Sequence, residues 1–252
     1  MPKAILSVHD KSGLVELAEG LVKCGWELIA SGGTARLLKE AAIPVVEVAD
    51  YTGSPEILGG RVKTLHPAIH GGLLARDNDQ DRRQLEALGW DQIDLVVVNL
   101  YPFEETVARP DVSWEEAIEN IDIGGVTLIR AAAKNSERVT LLCDPGDYTR
   151  ILDCIQRGDI PAVVRRELAL KGFRQTARYD NSIMNYLSGD ESQSLTLYPV
   201  QSLRYGENPH QKAALYGYSD QDHPLGGEVL QGKELSYTNL LDLDAAWRAA
   251  VC

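Results

Sequence analysis

Five short aliphatic and β-branched runs punctuate this chain: Ala4 to Val8, Leu28 to Ala30, Pro44 to Val48, Ile93 to Val98 and Val139 to Cys143. Between them lie amphipathic stretches such as Leu14 to Val22, whose apolar residues recur at helical spacing. Strands alternating with helices at this interval pair in parallel through right-handed crossovers. The expectation is an α/β domain, a Rossmann-like parallel sheet with helices on both faces. In such sheets ligands bind beyond the C-terminal ends of the strands, so the loops after each run are where chemistry is sought.

The first run leads into His9-Asp10-Lys11-Ser12-Gly13, which with Ser7 offers hydroxyls and a cation. The second leads into Ser31-Gly32-Gly33-Thr34 at a helix start. Hydroxyls and close backbone approach are what a phosphate cradle needs, although a capped tight turn carries the same signature. From Asp50 to Arg76 the periodicity fails, and long irregular stretches of this kind often carry function. Within it Gly59-Gly60-Arg61-Val62-Lys63-Thr64 puts two cations on one side of an extended chain. Arg61 would hold an anion and leave Lys63 for chemistry. His66 and His70 have a metal-like spacing, but Pro67 intervenes and no third ligand is evident, so loop hydrogen bonding is preferred and no metal is expected. The run Ile93 to Val98 ends in Asn99-Leu100-Tyr101-Pro102-Phe103. Asn99 and Tyr101 would face the same cleft, or Tyr101 is a core aromatic with its hydroxyl at the rim.

The stretch Asn120 to Asn135 joins an acid, a glycine pair, an apolar helix and a lysine. Gly124 and Gly125 would sit at the helix N-terminus, where free N–H groups favour an anion. Lys134 follows Asp122 at a distance of about 18 Å along a continuous helix. Both could still flank one elongated ligand, because helical side chains lean back toward the N-terminus. The plainer alternative is a buried helix whose last-turn lysine offsets the dipole.

Further helices are expected over Asp79 to Leu88, Trp114 to Ile118, Asp144-Pro145 to Ile155, and Pro161 to Tyr186. The last has Val164, Leu168, Phe173, Ala177 and Ile183 among its apolar positions. Ser188 to Ser194 is polar and reads as a linker. Beyond it Leu203 to Gln211 opens a new unit, and a helix over Leu240 to Val251 would share a face through Leu240, Leu243 and Trp247. The domains expected are therefore 1–190, a linker over 191–200, and 201–252 as the start of a second domain that is cut short at Cys252. With 25 Lys+Arg against 37 Asp+Glu the net charge is -12, which argues against a broad nucleic-acid face. Four scattered cysteines suit reduced thiols, and no apolar window is long enough for a signal peptide or a membrane span. A cytoplasmic protein with no membrane partner is expected.

Taken in order, the segments S-V-H-D-K-S-G, S-G-G-T, G-G-R-V-K-T-L-H-P, N-L-Y-P-F, N-I-D-I-G-G-V-T-L-I-R-A-A-A-K-N and L-R-Y-G-E-N-P-H-Q are specific. The chain closely resembles the family of bifunctional purine-biosynthesis proteins that carry AICAR transformylase and IMP cyclohydrolase activities. That resemblance implies a methylglyoxal-synthase-like cyclohydrolase domain followed by the beginning of a transformylase domain, in a homodimer. It implies closure of 5-formamidoimidazole-4-carboxamide ribotide (FAICAR), a purine ribonucleotide, to IMP and water with no cofactor. Lys63, Tyr101, Asp122 and Lys134 would form the catalytic group. Ser7, His9, Lys11, Ser31, Gly32, Gly33, Thr34, Arg61, Thr64, Asn99, Ile123, Gly124 and Gly125 would contact the nucleotide. His9 departs from the serine common in the family. Arg204, Tyr205 and His210 match an AICAR-binding segment of the transformylase. That activity uses 10-formyltetrahydrofolate as co-substrate and depends in the family on a Lys-His pair beyond residue 252, so the expectation is no formyl transfer from these residues alone. The rival readings are a methylglyoxal-synthase-like lyase and a non-catalytic nucleotide-binding allosteric module.

Overall fold

The computed structural model describes residues 1–189, 197–218 and 223–251. The chain divides into two compact units, Met1–Gly189 and Asp190–Cys252. Most of the linker expected over 191–200, and Cys252, fall outside the described residues.

In the first unit β1 (Lys3–Ser7), β2 (Glu27–Ala30), β3 (Val46–Glu47), β4 (Leu95–Val98) and β5 (Thr140–Leu142) form one parallel sheet in the order β3-β2-β1-β4-β5. The register sets Ile5 beside Ile29 and Val96. Strand side chains alternate between two faces, so each strand feeds two cores. Ala4, Leu6, Leu28, Ala30, Leu95 and Val97 pack against Leu14, Leu17 and Leu21 of α1 (Leu14–Lys23) and Leu38 of α2 (Gly32–Glu40). Ile5, Ile29, Val96, Val98 and Leu141 face the other way. They meet Ile69 and Leu73 from α4 (Pro67–Leu74) and Leu128 and Ile129 from α8 (Gly124–Lys134).

The remaining helices are α3 (Val48–Thr52), α5 (Asp79–Ala87), α6 (Phe103–Val107), α7 (Trp114–Glu119), α9 (Tyr148–Gln156) and α10 (Ala162–Ser188). Because the chain leaves central β1 toward β2 on one side and later returns as β4 on the other, a crevice opens above their C-terminal ends.

Three local expectations change. The run Pro44 to Val48 yields only a two-residue edge strand, and Val48 already begins α3. The stretch Asp50 to Arg76 is not irregular throughout, for it contains α4. Pro67 stands at that helix's first turn and the His66 Nδ1 accepts from the Ala68 N–H at 3.1 Å, capping it. The glycine pair Gly71-Gly72 obscured the helix in sequence. A Cβ at Gly72 would lie 2.6 Å from the Asp91 carbonyl, so the helix needs glycine to pack against the segment that leads into β4. His66 is thus a cap and the half-buried His70 lies within the same helix, while no metal-binding group of three or more His, Cys, Asp or Glu exists among the described residues. In α10 the buried positions are Leu168, Ala169, Gly172, Thr176 and Tyr179, whereas Phe173 is exposed.

The second unit pairs β6 (Tyr198–Leu203) with β7 (Ala213–Gly217) as an antiparallel hairpin and adds α11 (Tyr237–Val251). No residue of α11 is buried, and Leu243 and Trp247 are exposed, so the apolar face expected there is uncovered among the described residues.

Candidate active site

At the C-terminal ends of β1, β2 and β4 lies a hollow of about 650 Å³. Its walls come from four stretches: the loop after β1, the start of α2, residues 59–65, and the segment from the end of α7 into α8. Asn99 and Tyr101, after β4, complete it.

The loop after β1 is held by side chains from two other elements. Asn99 Oδ1 accepts from the backbone N–H groups of His9 at 2.6 Å and Asp10 at 2.9 Å, and its Nδ2 donates to the Asp10 carbonyl at 2.9 Å. Thr34 Oγ1 accepts from the Val8 N–H at 3.2 Å and donates back to the Val8 carbonyl at 3.3 Å. Both polar groups are thereby committed to the loop's shape. They line the hollow by building its wall.

Over the start of α2 two ammonium groups converge. A Cβ placed at Gly32 would stand 3.2 Å from Lys63 Nζ, and one at Gly33 would stand 3.8 Å from Lys11 Nζ. Gly32 also has φ +53°, a left-handed conformation that a side chain disfavours. Free N–H groups of a helix start, flanked by two lysines, make a site for a dianion such as phosphate. Lys63 pairs with Glu56 at 3.3 Å and Arg61 with Glu119 at 3.4 Å. Neither carboxylate was singled out in the sequence, where each is one acid among 37.

The start of α8 is organised differently. Asp122 Oδ1 accepts from the Gly125 N–H at 2.7 Å, so the helix start is capped by a carboxylate of the chain itself. Burial raises the Asp122 pKa above its ordinary 3.8, against the opposing pull of hydrogen bonds from the backbone of Gly125 and Tyr101. A Cβ at Gly125 would lie 2.6 Å from Asp122 Oδ2, and one at Gly124 would lie 3.1 Å from the Thr64 hydroxyl. Only glycine fits at these two positions without displacing a neighbour. Ile123 is exposed on the lip of the hollow.

Tyr101 is not a core aromatic. It is 49% exposed, and its ring tilts toward His9 with centroids 5.1 Å apart. Lys134 is the one member of the expected catalytic group that does not line the hollow: it is the last residue of α8 and exposed. Ten residues of helix, about 15 Å, separate it from Gly124. The backward lean of its side chain does not bridge that gap within one chain.

In the second unit Arg204 lies over the Tyr205 ring, 4.8 Å from its centroid, and its Nη2 donates to the Tyr205 hydroxyl at 3.1 Å. His210 is exposed on the turn before β7.

A five-stranded parallel sheet with a glycine-framed anion hollow at its strand ends defines a methylglyoxal-synthase-like domain, and the model of the MGS-like domain matches residues 13–127. The model of the AICARFT/IMPCHase bienzyme family matches residues 132–251. The bifunctional purine biosynthesis protein PurH of Synechococcus sp. (strain CC9902) is 54% identical over 97% of this chain and 49% of that protein. Its counterpart in Desulfitobacterium hafniense (strain DSM 10664 / DCB-2) is 53% identical over 97% of this chain and 50% of that protein. A crystal structure of ForH is 38% identical, with a TM-score of 0.70, covering 77% of this chain and all of that one. The chain belongs to the family of bifunctional purine-biosynthesis proteins. It spans about half the length of the curated relatives it matches.

Proposed function

We propose that the first unit is an IMP cyclohydrolase that closes FAICAR to IMP and water. The observation that carries this reading is the gathering of Tyr101 and Asp122 in one hollow with an anion cradle at the start of α2, over which Lys11 and Lys63 stand. The ribotide phosphate would sit on the start of α2 with Lys11. The base would then lie toward Asp122 and Tyr101.

Closure joins two arms of one molecule. The carboxamide nitrogen gives up one proton and attacks the formyl carbon, the formyl oxygen becomes a hydroxyl, and this leaves as water while the formamido nitrogen gives up its proton and forms the new C=N bond. Well-oriented intramolecular reactions reach effective molarities of about 10⁵ to 10⁸ M, so holding the arms together supplies about 7 to 11 kcal/mol. What remains is proton traffic and the charge that develops on the formyl oxygen. In this reading Asp122 accepts from the carboxamide nitrogen. Its second oxygen is free of the Gly125 cap, and its raised pKa makes it a stronger base than an exposed aspartate. Lys63 and Tyr101 donate to the formyl oxygen. Lys134 takes a part only if a second copy of the chain delivers it, which the homodimer implied by the family would allow.

The second unit belongs in the same reading to a transformylase that formylates AICAR with 10-formyltetrahydrofolate. The Arg204–His210 loop, with Arg204 and His210 exposed, would be its nucleotide side. No helix of the described residues is long and apolar enough to cross a membrane. The expected substrates are small purine ribonucleotides, and the expected compartment is the cytoplasm.

The test is ultraviolet absorbance of FAICAR with purified chain and no added folate or metal. Appearance of IMP supports the reading. Its absence, with methylglyoxal formed from dihydroxyacetone phosphate, would replace it with the lyase.

A further inference from the structure

Asp122 and Tyr101 are separated by about twenty residues of chain and two short helices, yet one side chain from the far end of the unit bonds the backbone of the first and packs on Phe103, two residues after the second. Tyr179, in the C-terminal half of α10, is 8% exposed. Its hydroxyl accepts from the backbone N–H of Asp122 at 2.7 Å and donates to the Asn120 carbonyl at 3.3 Å. Its ring meets Phe103 edge-on, with centroids 6.1 Å apart and planes at 68°. Phe103 is itself buried, begins α6, and its N–H donates to the Tyr101 carbonyl at 2.8 Å.

We infer that Tyr179 is the positioning residue of this site, fixing the Asp122 carboxylate and the Tyr101 hydroxyl relative to each other through one hydrogen-bonded, ring-packed contact. The inference rests on the cyclohydrolase reading. The hydroxyl orients the peptide from which Asp122 departs; the ring anchors the helix start two residues after Tyr101. Burial pushes the Tyr179 phenol up to about 12, so it stays protonated and can accept and donate at once. No side-chain hydrogen bond to Asp122 Oδ2 is present among the described residues, and His9 is the charged-capable neighbour across the hollow. The hydrogen bonds that reach the carboxylate come from the backbone N–H groups of Gly125 and Tyr101, so its direction depends on how the Asp122 and Tyr101 backbones are held, and Tyr179 bonds the first and packs on Phe103 beside the second.

Tyr179→Phe keeps the ring and removes the hydroxyl. In the intact chain it should lower kcat about tenfold with KM changed less than about twofold, as a misplaced base does when substrate binding elsewhere is intact. The acid limb of the kcat profile, and the carboxyl ¹³C titration of Asp122 read without substrate, should both shift from those of the unmodified chain. Unchanged kcat and an unchanged carboxyl titration would overturn the inference. So would failure of Tyr179→Phe to fold at 25 °C, since the hydroxyl would then be a stability element. If the unmodified chain does not convert FAICAR, the cyclohydrolase reading fails by itself; the carboxyl titration still reads the contact between Tyr179 and Asp122.

Discussion

Two helices open on the same hollow with a glycine pair at their N-termini, and they are prepared for opposite tasks. The start of α2 has Lys11 and Lys63 above it and no carboxylate of its own, so its free N–H groups face two ammonium groups. The start of α8 is already occupied by an anion, the Asp122 carboxylate on the Gly125 N–H. A helix start satisfied from within has little left to offer a phosphate. It does hold a carboxylate in place at a raised pKa, as a base requires. The lesson is that a Gly-Gly helix start is not by itself a phosphate site; the charge brought to it by other elements decides.

The sharpest way to break this contrast is Asp122→Asn. The amide still accepts from Gly125 and does not act as a base, so closure should fall by about 10² to 10⁴-fold with KM little changed. The sign of its effect on stability is opposite. The folded pKa of Asp122 lies above the unfolded value, so its contribution to stability is full below the unfolded pKa and is lost as pH rises through the folded one. At pH 7 Asp122→Asn should therefore unfold at the same temperature or higher; a clearly lower Tm would mean that the carboxylate serves the fold. In the unmodified chain the same raised pKa predicts that kcat declines on the acid side at a pH above the ordinary 3.8.

Lys63→Met comes next. Lys63 overhangs the α2 cradle and is assigned to the formyl oxygen, so both kcat and KM should worsen, by about tenfold or more each. A change in KM alone would place it wholly with the phosphate. Lys11→Ala should raise KM about tenfold, the equivalent of one charge-assisted hydrogen bond, and leave kcat nearly intact. The smallest effect is expected from Gly32→Ala. A left-handed residue with a side chain costs about 1 to 2 kcal/mol, read as a Tm lower by several degrees, with KM raised through the crowding of Lys63. Lys134→Ala tests a separate point. If it lowers the rate and the chain pairs as proposed, mixing it with Asp122→Asn chains should restore activity in proportion to mixed dimers, because Lys134 stands outside the hollow of its own chain.

Much of this fold was open to a reader of the sequence. The strands β1, β2, β4 and β5 carry their two-sided burial in apolar runs, and the helix over Gly124 to Lys134 announces itself by period. The hidden pieces have specific causes. Pro67 and the pair Gly71-Gly72 look like loop residues, because the reason for Gly72, the approach of α4 to the Asp91 carbonyl, lies nineteen residues further along the chain. The buried face of α10 turns on Gly172 and Tyr179, which no hydrophobic pattern would single out.

The site divides along the same line. Sequence by itself determined which residues crowd the strand ends, since a parallel sheet places the loops after Ser7, Ala30 and Val98 together and local motifs supply their chemistry. Only the tertiary structure decided how each residue is used. It spends the Asn99 amide and the Thr34 hydroxyl on the loop after β1, gives Asp122 to the start of α8, and leaves Lys134 at the other end of that helix. It also brings Tyr179 to Asp122 across 57 positions of sequence. The physical reason is one of range. Periodicity and turn chemistry act over a few residues, whereas a hydrogen bond or a burial-induced pKa shift depends on which distant elements arrive beside the group.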